Sequence, residues 1–229
     1  GNSNCEERKE LFDRYLDLFG ADSIESLMAD REFIGDEWFK DLIRKSIPFY
    51  IRIREKMWVD VPGKGRTRAF WLFNSLPMHT ASHYHKIVCI DGNWVYLNGL
   101  KTLNKEHKIE YVIIASFSPN QQALLLYKDR WQIESMFKAF KSSGFNMEVT
   151  HLKDMYRISK LIALICVAFV WAYLVGIYRN DNIQAIKIKK HGRKAYSVVK
   201  YGLIFIAHAL LNPFNKQDLE TCKKVLSCT

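Results

Sequence analysis

Four side chains with functional groups stand at fixed spacing in the stretch 118–144: Tyr127, Arg130, Glu134 and Lys141. Together they offer a phenol, two cations and a carboxylate, the group types that acid–base and phosphate chemistry draw on. At the helical step of about 100° per residue, the four share an arc of about 60°, one stripe on one side of a helix. Ile133, Met136, Phe137 and Phe140 fall beside that stripe, so it is expected to border a core, where a cleft can form. Ser118, Pro119 and Gln121 read as a capping-box start with proline in the first helical position, and Gly144 reads as the stop. The plainer account makes Glu134 a solvated glutamate paired with Lys138 four residues on, an interaction of about 0.2–0.5 kcal/mol.

Such a helix needs a scaffold, and the preceding residues supply one. Residues 3–19 read as an amphipathic helix with a Ser3–Glu6 capping box, a face of Leu11, Phe12, Tyr15, Leu16 and Phe19, and Gly20 as its end. Residues 23–30 form a short apolar run ending in Asp30, followed by a turn at Gly35 and Asp36 and a helix bearing Trp38, Phe39, Leu42 and Ile43. Asp30 is thereby placed at a strand end, where a turn-forming aspartate is the commoner occupant. In FYIRIRE, 49–55, Phe49, Ile51 and Ile53 alternate with Tyr50, Arg52 and Arg54, the pattern of a half-buried strand. Further strands are expected at 68–74, 86–90, 93–97 and 110–117, with Asp91-Gly92 as a hairpin turn and VPGKGRTR, 61–68, as a basic loop. His79, His83 and His85 lack a cysteine or carboxylate at metal-ligand spacing.

The uncharged run 161–178 only just reaches the length of a membrane span, and both its flanks are basic. It is expected to be a buried helix against the Phe-rich face of 118–144, with 187–197 a basic loop and 197–212 the final helix. The chain has 229 residues, 34 basic against 24 acidic, and a net charge of +10. That balance favours an anionic partner, with nucleic acid the usual one. Five scattered cysteines, an odd number, suit a reduced setting rather than a disulfide scaffold.

The spacing of Tyr127, Arg130, Glu134 and Lys141, with Trp131 inside it, resembles the YREK signature of the insertion-sequence-four family of bacterial transposases. MADREF, 28–33, is similar to the strand-end Asp-Arg motif that carries the second carboxylate of their DDE triad. The resemblance implies a ribonuclease-H-like mixed sheet with flanking helices, divided as 1–56 core, 57–117 β-rich insertion with a return strand, and 118–229 helical part. It implies Asp30 and Glu134 as catalytic ligands of Mg2+ or Mn2+, Arg130 and Lys141 as phosphate clamps, and Tyr127 as a DNA contact. Its substrate would be double-stranded DNA at transposon terminal inverted repeats, cut and pasted by a homodimer in the bacterial cytoplasm, on the nucleoid, with no membrane involved. The family's first aspartate lies on a strand upstream of the opening helix, and none is read before Asp30. The chain is therefore expected to be an N-terminally truncated copy that is inactive alone. A basic nucleic-acid-binding module without chemistry, and a small membrane protein, are the two competing classes.

Overall fold

The computed structural model describes residues 4–212, 214 and 216–227, in two compact units, Gly1–Trp131 and Gln132–Thr229. The first unit opens with α1 (Cys5–Phe19). Its cap is one residue later than the sequence suggests: Asn4 Oδ1 accepts from the Glu7 N–H at 2.8 Å, and Glu7 Oε2 accepts from the Asn4 N–H at 3.0 Å. Ser3 lies outside the described residues. Of the expected apolar face, Phe12 and Leu16 pack on the core, while Leu11 and Phe19 are exposed.

The strand β1 (Leu27–Ala29), the helix α2 (Asp36–Arg44) and the strand β2 (Phe49–Ile53) form a crossover unit. β1 and β2 run parallel with Ala29 opposite Ile51, an arrangement a tight hairpin cannot make and a helical crossover can. β3 (Trp58–Val61), β4 (Gly65–Arg68), β5 (Ala81–His83), β6 (Val88–Ile90), β7 (Asn93–Leu103) and β8 (Ile109–Ser116) complete the sheet. Its order is β1-β2-β8-β7-β6-β3-β4, with β5 beside β7. All pairs but the first are antiparallel, so the sheet is mixed, and the β-rich middle of the chain continues it.

Alternation divides the sheet's faces. Phe49, Ile51 and Ile53 of β2 and Ile113 and Ala115 of β8 meet Trp38, Phe39 and Leu42 of α2. Tyr50 and Ile114 point the other way, onto a short helix α3 (Ala123–Tyr127). Helices thus flank both faces. Asp91 (φ 48°) and Gly92 (φ 83°) join β6 to β7 with the left-handed pair that a tight hairpin requires.

Two segments differ from expectation. VPGKGRTR is the β3–β4 hairpin rather than a loop: Pro62 and Gly63 (φ 77°) sit at the centre of a turn closed by Lys64 N–H to Val61 C=O at 3.0 Å. RAFWLFN is a 3₁₀ turn, Ala69–Phe73, rather than a strand. Its Phe73 ring lies over Gly99 of β7, where an added Cβ would meet Cγ at 2.3 Å, so the turn is held by a contact distant in sequence.

In the second unit, α5 (Met155–Asn182), α6 (Val198–Leu211) and α7 (Lys216–Ser227) pack around Ala172, Val175, Phe205, Ile206, Ala209 and Cys222. Side chains cap two of them: Asp154 Oδ1 accepts from the Arg157 N–H at 2.8 Å, and Ser197 Oγ from the Lys200 N–H at 3.2 Å. α6 is not the last helix. Glycines let α5 and α6 touch backbone to backbone, since a Cβ on Gly202 would lie 1.8 Å from the Ala172 carbonyl oxygen and one on Gly176 2.2 Å from that of Val198. Contrary to the expectation for 161–178, burial is one-sided: Ile165, Ala172, Val175 and Gly176 are buried, but Leu164, Val167 and Val170 are exposed. α5 is long and apolar enough to cross a membrane by length and composition, yet it is no isolated rod. Its principal partner is α6; toward 118–144 it offers the Phe140–Phe169 edge contact, centroids 5.6 Å apart.

Candidate functional site

Asp30 follows β1 directly, in extended backbone (φ −81°, ψ 169°). Alternation from Met28, which packs toward α3, puts Asp30 on the α3 side of the sheet, one step beyond the last β1–β2 pair. The half-buried carboxylate caps the 3₁₀ turn Arg31–Phe33, with Oδ1 accepting from the Arg31 N–H at 2.7 Å. The turn-forming role weighed from sequence is therefore real. It engages one oxygen in a hydrogen bond, and a carboxylate has acceptor capacity beyond that.

Tyr127 ends α3 beneath the same face, half-buried. Burial pushes its phenol above the ordinary value, the Asp30 charge pushes it the same way, and Arg130 and Arg52 oppose. The phenol therefore senses all three charged groups. The Arg130 guanidinium carbon lies 5.6 Å from the Tyr127 ring centroid. Arg52, on β2, is fixed by an ion pair with Glu110 at 2.6 Å. Asp30, Tyr127 and Arg130, chosen from the sequence, are thus brought together in the first unit, and Arg52 joins them. The alternation of residues 49–55 put Arg52 on the polar face but gave no reason to single it out.

The helix expected over 118–144 is a succession of three geometries. It starts not at Ser118 but at Ala123, with Gln122 at the cap position, after a turn in which Asn120 Oδ1 accepts from the Gln122 N–H at 2.7 Å. After α3 come a 3₁₀ turn, Lys128–Arg130, then α4 (Trp131–Lys138), then a π-helical turn, Ala139–Ser143, ending at Gly144. A constant 100° step does not hold across tight and wide turns, so the four side chains do not form the single stripe expected. Of the expected core face, Phe140 is buried, whereas Ile133 and Phe137 are about half exposed. Glu134, in the first turn of α4, and Lys141, in the π turn, are exposed and belong to the second unit. Lysines and Arg193 of 187–194 stand on a closed turn, with Ile188 bridged to Lys194 and Lys189 N–H bonded to Arg193 C=O at 2.8 Å.

Asp30 and Glu134 have the hard oxygen donors that magnesium takes. Among the described residues, no group of three or more His, Cys, Asp or Glu side chains comes together to hold an ion.

A helix-flanked mixed sheet carrying a carboxylate and arginines at one strand edge is consistent with the ribonuclease-H-like class of DNA-processing enzymes. A family model described as Transposase DDE domain matches residues 7–171, which include Asp30, Arg52, Tyr127, Arg130, Glu134 and Lys141, and the chain belongs to that family. The family makes it a DNA transposase, an enzyme of the nuclease and strand-transfer type whose substrate is DNA and whose members generally use divalent metal ions. No curated protein gives a match.

Proposed function

We propose that this chain is a transposase domain of the insertion-sequence-four type, built for metal-dependent phosphoryl transfer at the terminal inverted repeats of a transposon. The observation that carries the proposal is the grouping of Asp30, Tyr127, Arg130 and Arg52 on one face of the sheet. Asp30 and Glu134 are the proposed ligands of Mg2+ or Mn2+, which when bound would activate the attacking oxygen and neutralise charge on phosphorus. Arg130 and Lys141 would hold phosphate oxygens as charged donors, and Tyr127 would line the path of the strand. The proposed division is 1–56 core, 57–117 insertion with return strand, and 118–229 helical part, in a dimer acting in the bacterial cytoplasm on the nucleoid. Two assigned carboxylates are fewer than a pair of ions requires, so this chain by itself is proposed to be inactive.

The test is Mn2+ binding to the complex of this chain with terminal-repeat DNA, followed by electron paramagnetic resonance. Asp30→Asn and Glu134→Gln should each weaken Mn2+ binding at least tenfold while DNA affinity stays the same or rises, since a negative charge is removed. Undiminished Mn2+ binding by both variants, or none by the wild type, would leave a DNA-binding module without chemistry.

A further inference from the structure

The β3–β4 hairpin carries a second cationic cluster on its outer face. Val59 and Val61 point into the core, so alternation turns Trp58 and Asp60, with cross-strand partners Arg68 and Arg66, outward. Trp58 is 43% exposed. The Arg68 guanidinium lies on its indole, 3.7 Å from the ring centroid, and Arg66 is 5.5 Å away. Arg68 is pinned further by Nη1 donating to the Lys56 carbonyl at 2.6 Å. A guanidinium laid on an aromatic face keeps its N–H edge for an anion, and here its orientation is fixed in advance.

A cleft of about 480 Å³ runs beside this platform and is lined by Arg54, Lys56, Arg66 and Arg68, with Asp91 the one carboxylate in its wall among the described residues. None of these four cations makes an ion pair among the described residues. Arg54 and Lys56 also line a neighbouring cleft that contains Arg31 and Arg52, with Glu55 and Glu110, the ion-pair partner of Arg52, in the same wall. Arg31 follows Asp30 in sequence, and Arg52 acts on Tyr127 alongside Asp30. Arg31, Arg54, Lys56, Arg66 and Arg68 therefore form a row from the Asp30 edge of the sheet to Trp58, within one unit, in which cations outnumber the flanking Glu55 and Asp91.

We propose that this row is a track for the DNA sugar–phosphate backbone, and that Arg66 and Arg68, held on Trp58, clamp a phosphate at its far end. The proposal rests on DNA being the substrate, and it extends the site to a hairpin that carries none of the residues assigned from the signature. The clamp reads charge and spacing rather than base sequence, because its donors are guanidinium edges on a strand face.

The test is fluorescence anisotropy of a labelled duplex of mixed sequence with the full chain, in EDTA, over a range of salt. Arg66→Ala with Arg68→Ala should lower the slope of log affinity against log salt by about two, one per phosphate contact. Lys223→Ala with Lys224→Ala on α7, an equal loss of charge, should leave the slope within about half a unit of wild type. Trp58→Phe should bind as wild type, and Trp58→Ala should bind several-fold more weakly with all cations retained. If the double alanine variant does not fold, Arg66→Lys with Arg68→Lys replaces it, and a several-fold loss of affinity at unchanged slope is expected. Equal slope changes in the hairpin and α7 variants, or a wild type whose DNA binding ignores salt, would overturn the proposal. Because no metal is present, a reduced slope in a chain that also fails to bind Mn2+ would keep the clamp and remove the phosphoryl-transfer reading.

Discussion

In the first unit the nine-residue α2 gives Phe39 and Leu42 no exposure at all, whereas in the second the 28-residue α5 leaves Leu164 69% exposed. The difference comes from how each helix meets its partner. α2 lies on a sheet whose inward side chains rise from several strands, so large residues interlock and are covered from every side. α5 meets α6 through Gly176 and Gly202, which draws the backbones together, buries small residues at the crossing and leaves most of the helix circumference open. Apolar composition alone therefore does not tell how much of a helix is covered; the size of the residues at the crossing does.

The sharpest way to break the comparison is Phe39→Ala. Its side chain is wholly buried in the sheet core, so the first unit should lose about 3–5 kcal/mol, read by denaturant unfolding with amide exchange in β2 and β8. A loss below about 1 kcal/mol would show that α2 is not interlocked with the sheet.

Acid should come next. Asp41 is buried, with Oδ1 2.6 Å from Arg44 Nη2 and Oδ2 2.6 Å from Lys45 Nζ. Burial pushes its carboxyl up, but hydrogen bonds and charge from Lys45 and then Arg44 outweigh this and hold it below the ordinary range. Since the folded value is the lower one, the stabilisation is complete above the unfolded value of about 3.9 and is lost as pH falls through the folded value. Asp41→Asn should cost the first unit about 1.5–3 kcal/mol at neutral pH and flatten its acid limb. An acid limb identical to wild type would remove Asp41 from the account.

Gly202→Ala probes the other side of the comparison. A Cβ there falls 1.8 Å from the Ala172 oxygen, and forcing α5 and α6 apart should cost about 1–3 kcal/mol. Faster exchange should be confined to the three helices of the second unit, 155–227. Equal acceleration throughout the sheet would show that the cost is not set at the α5–α6 crossing.

Several short-range signals in the sequence were dependable. The alternation of Phe49, Ile51 and Ile53, the Asp91-Gly92 turn and the strand end at Asp30 each rest on a few neighbouring residues, and each element is present. The failures had several causes. Residues 68–74 read as a strand because nothing local reveals that Phe73 lies on Gly99. VPGKGRTR reads as a loop because its glycines and charges hide the end of β3, a turn and the strand β4. The 118–144 segment is legible as helical but not as three kinds of helix, since nothing in its residue pattern marks where the angular step changes. Asp30, Tyr127 and Arg130 were identified from a resemblance in spacing. Arg52 came to light only when the fold set β2 beside them.

The pairing of β2 with β8 also sets a timetable. Ile51 waits for Ala115, and at about 5–20 residues per second the intervening chain takes about 3–13 s to emerge from a ribosome. The β3–β4 and β6–β7 hairpins can close in about 1–10 μs once their own residues are free. Tyr127 and Arg130 leave the ribosome later still. The outer part of the sheet, with the Trp58 hairpin, is therefore complete while the edge at Asp30 still lacks its neighbours, and the candidate site is among the last parts of the first unit to exist.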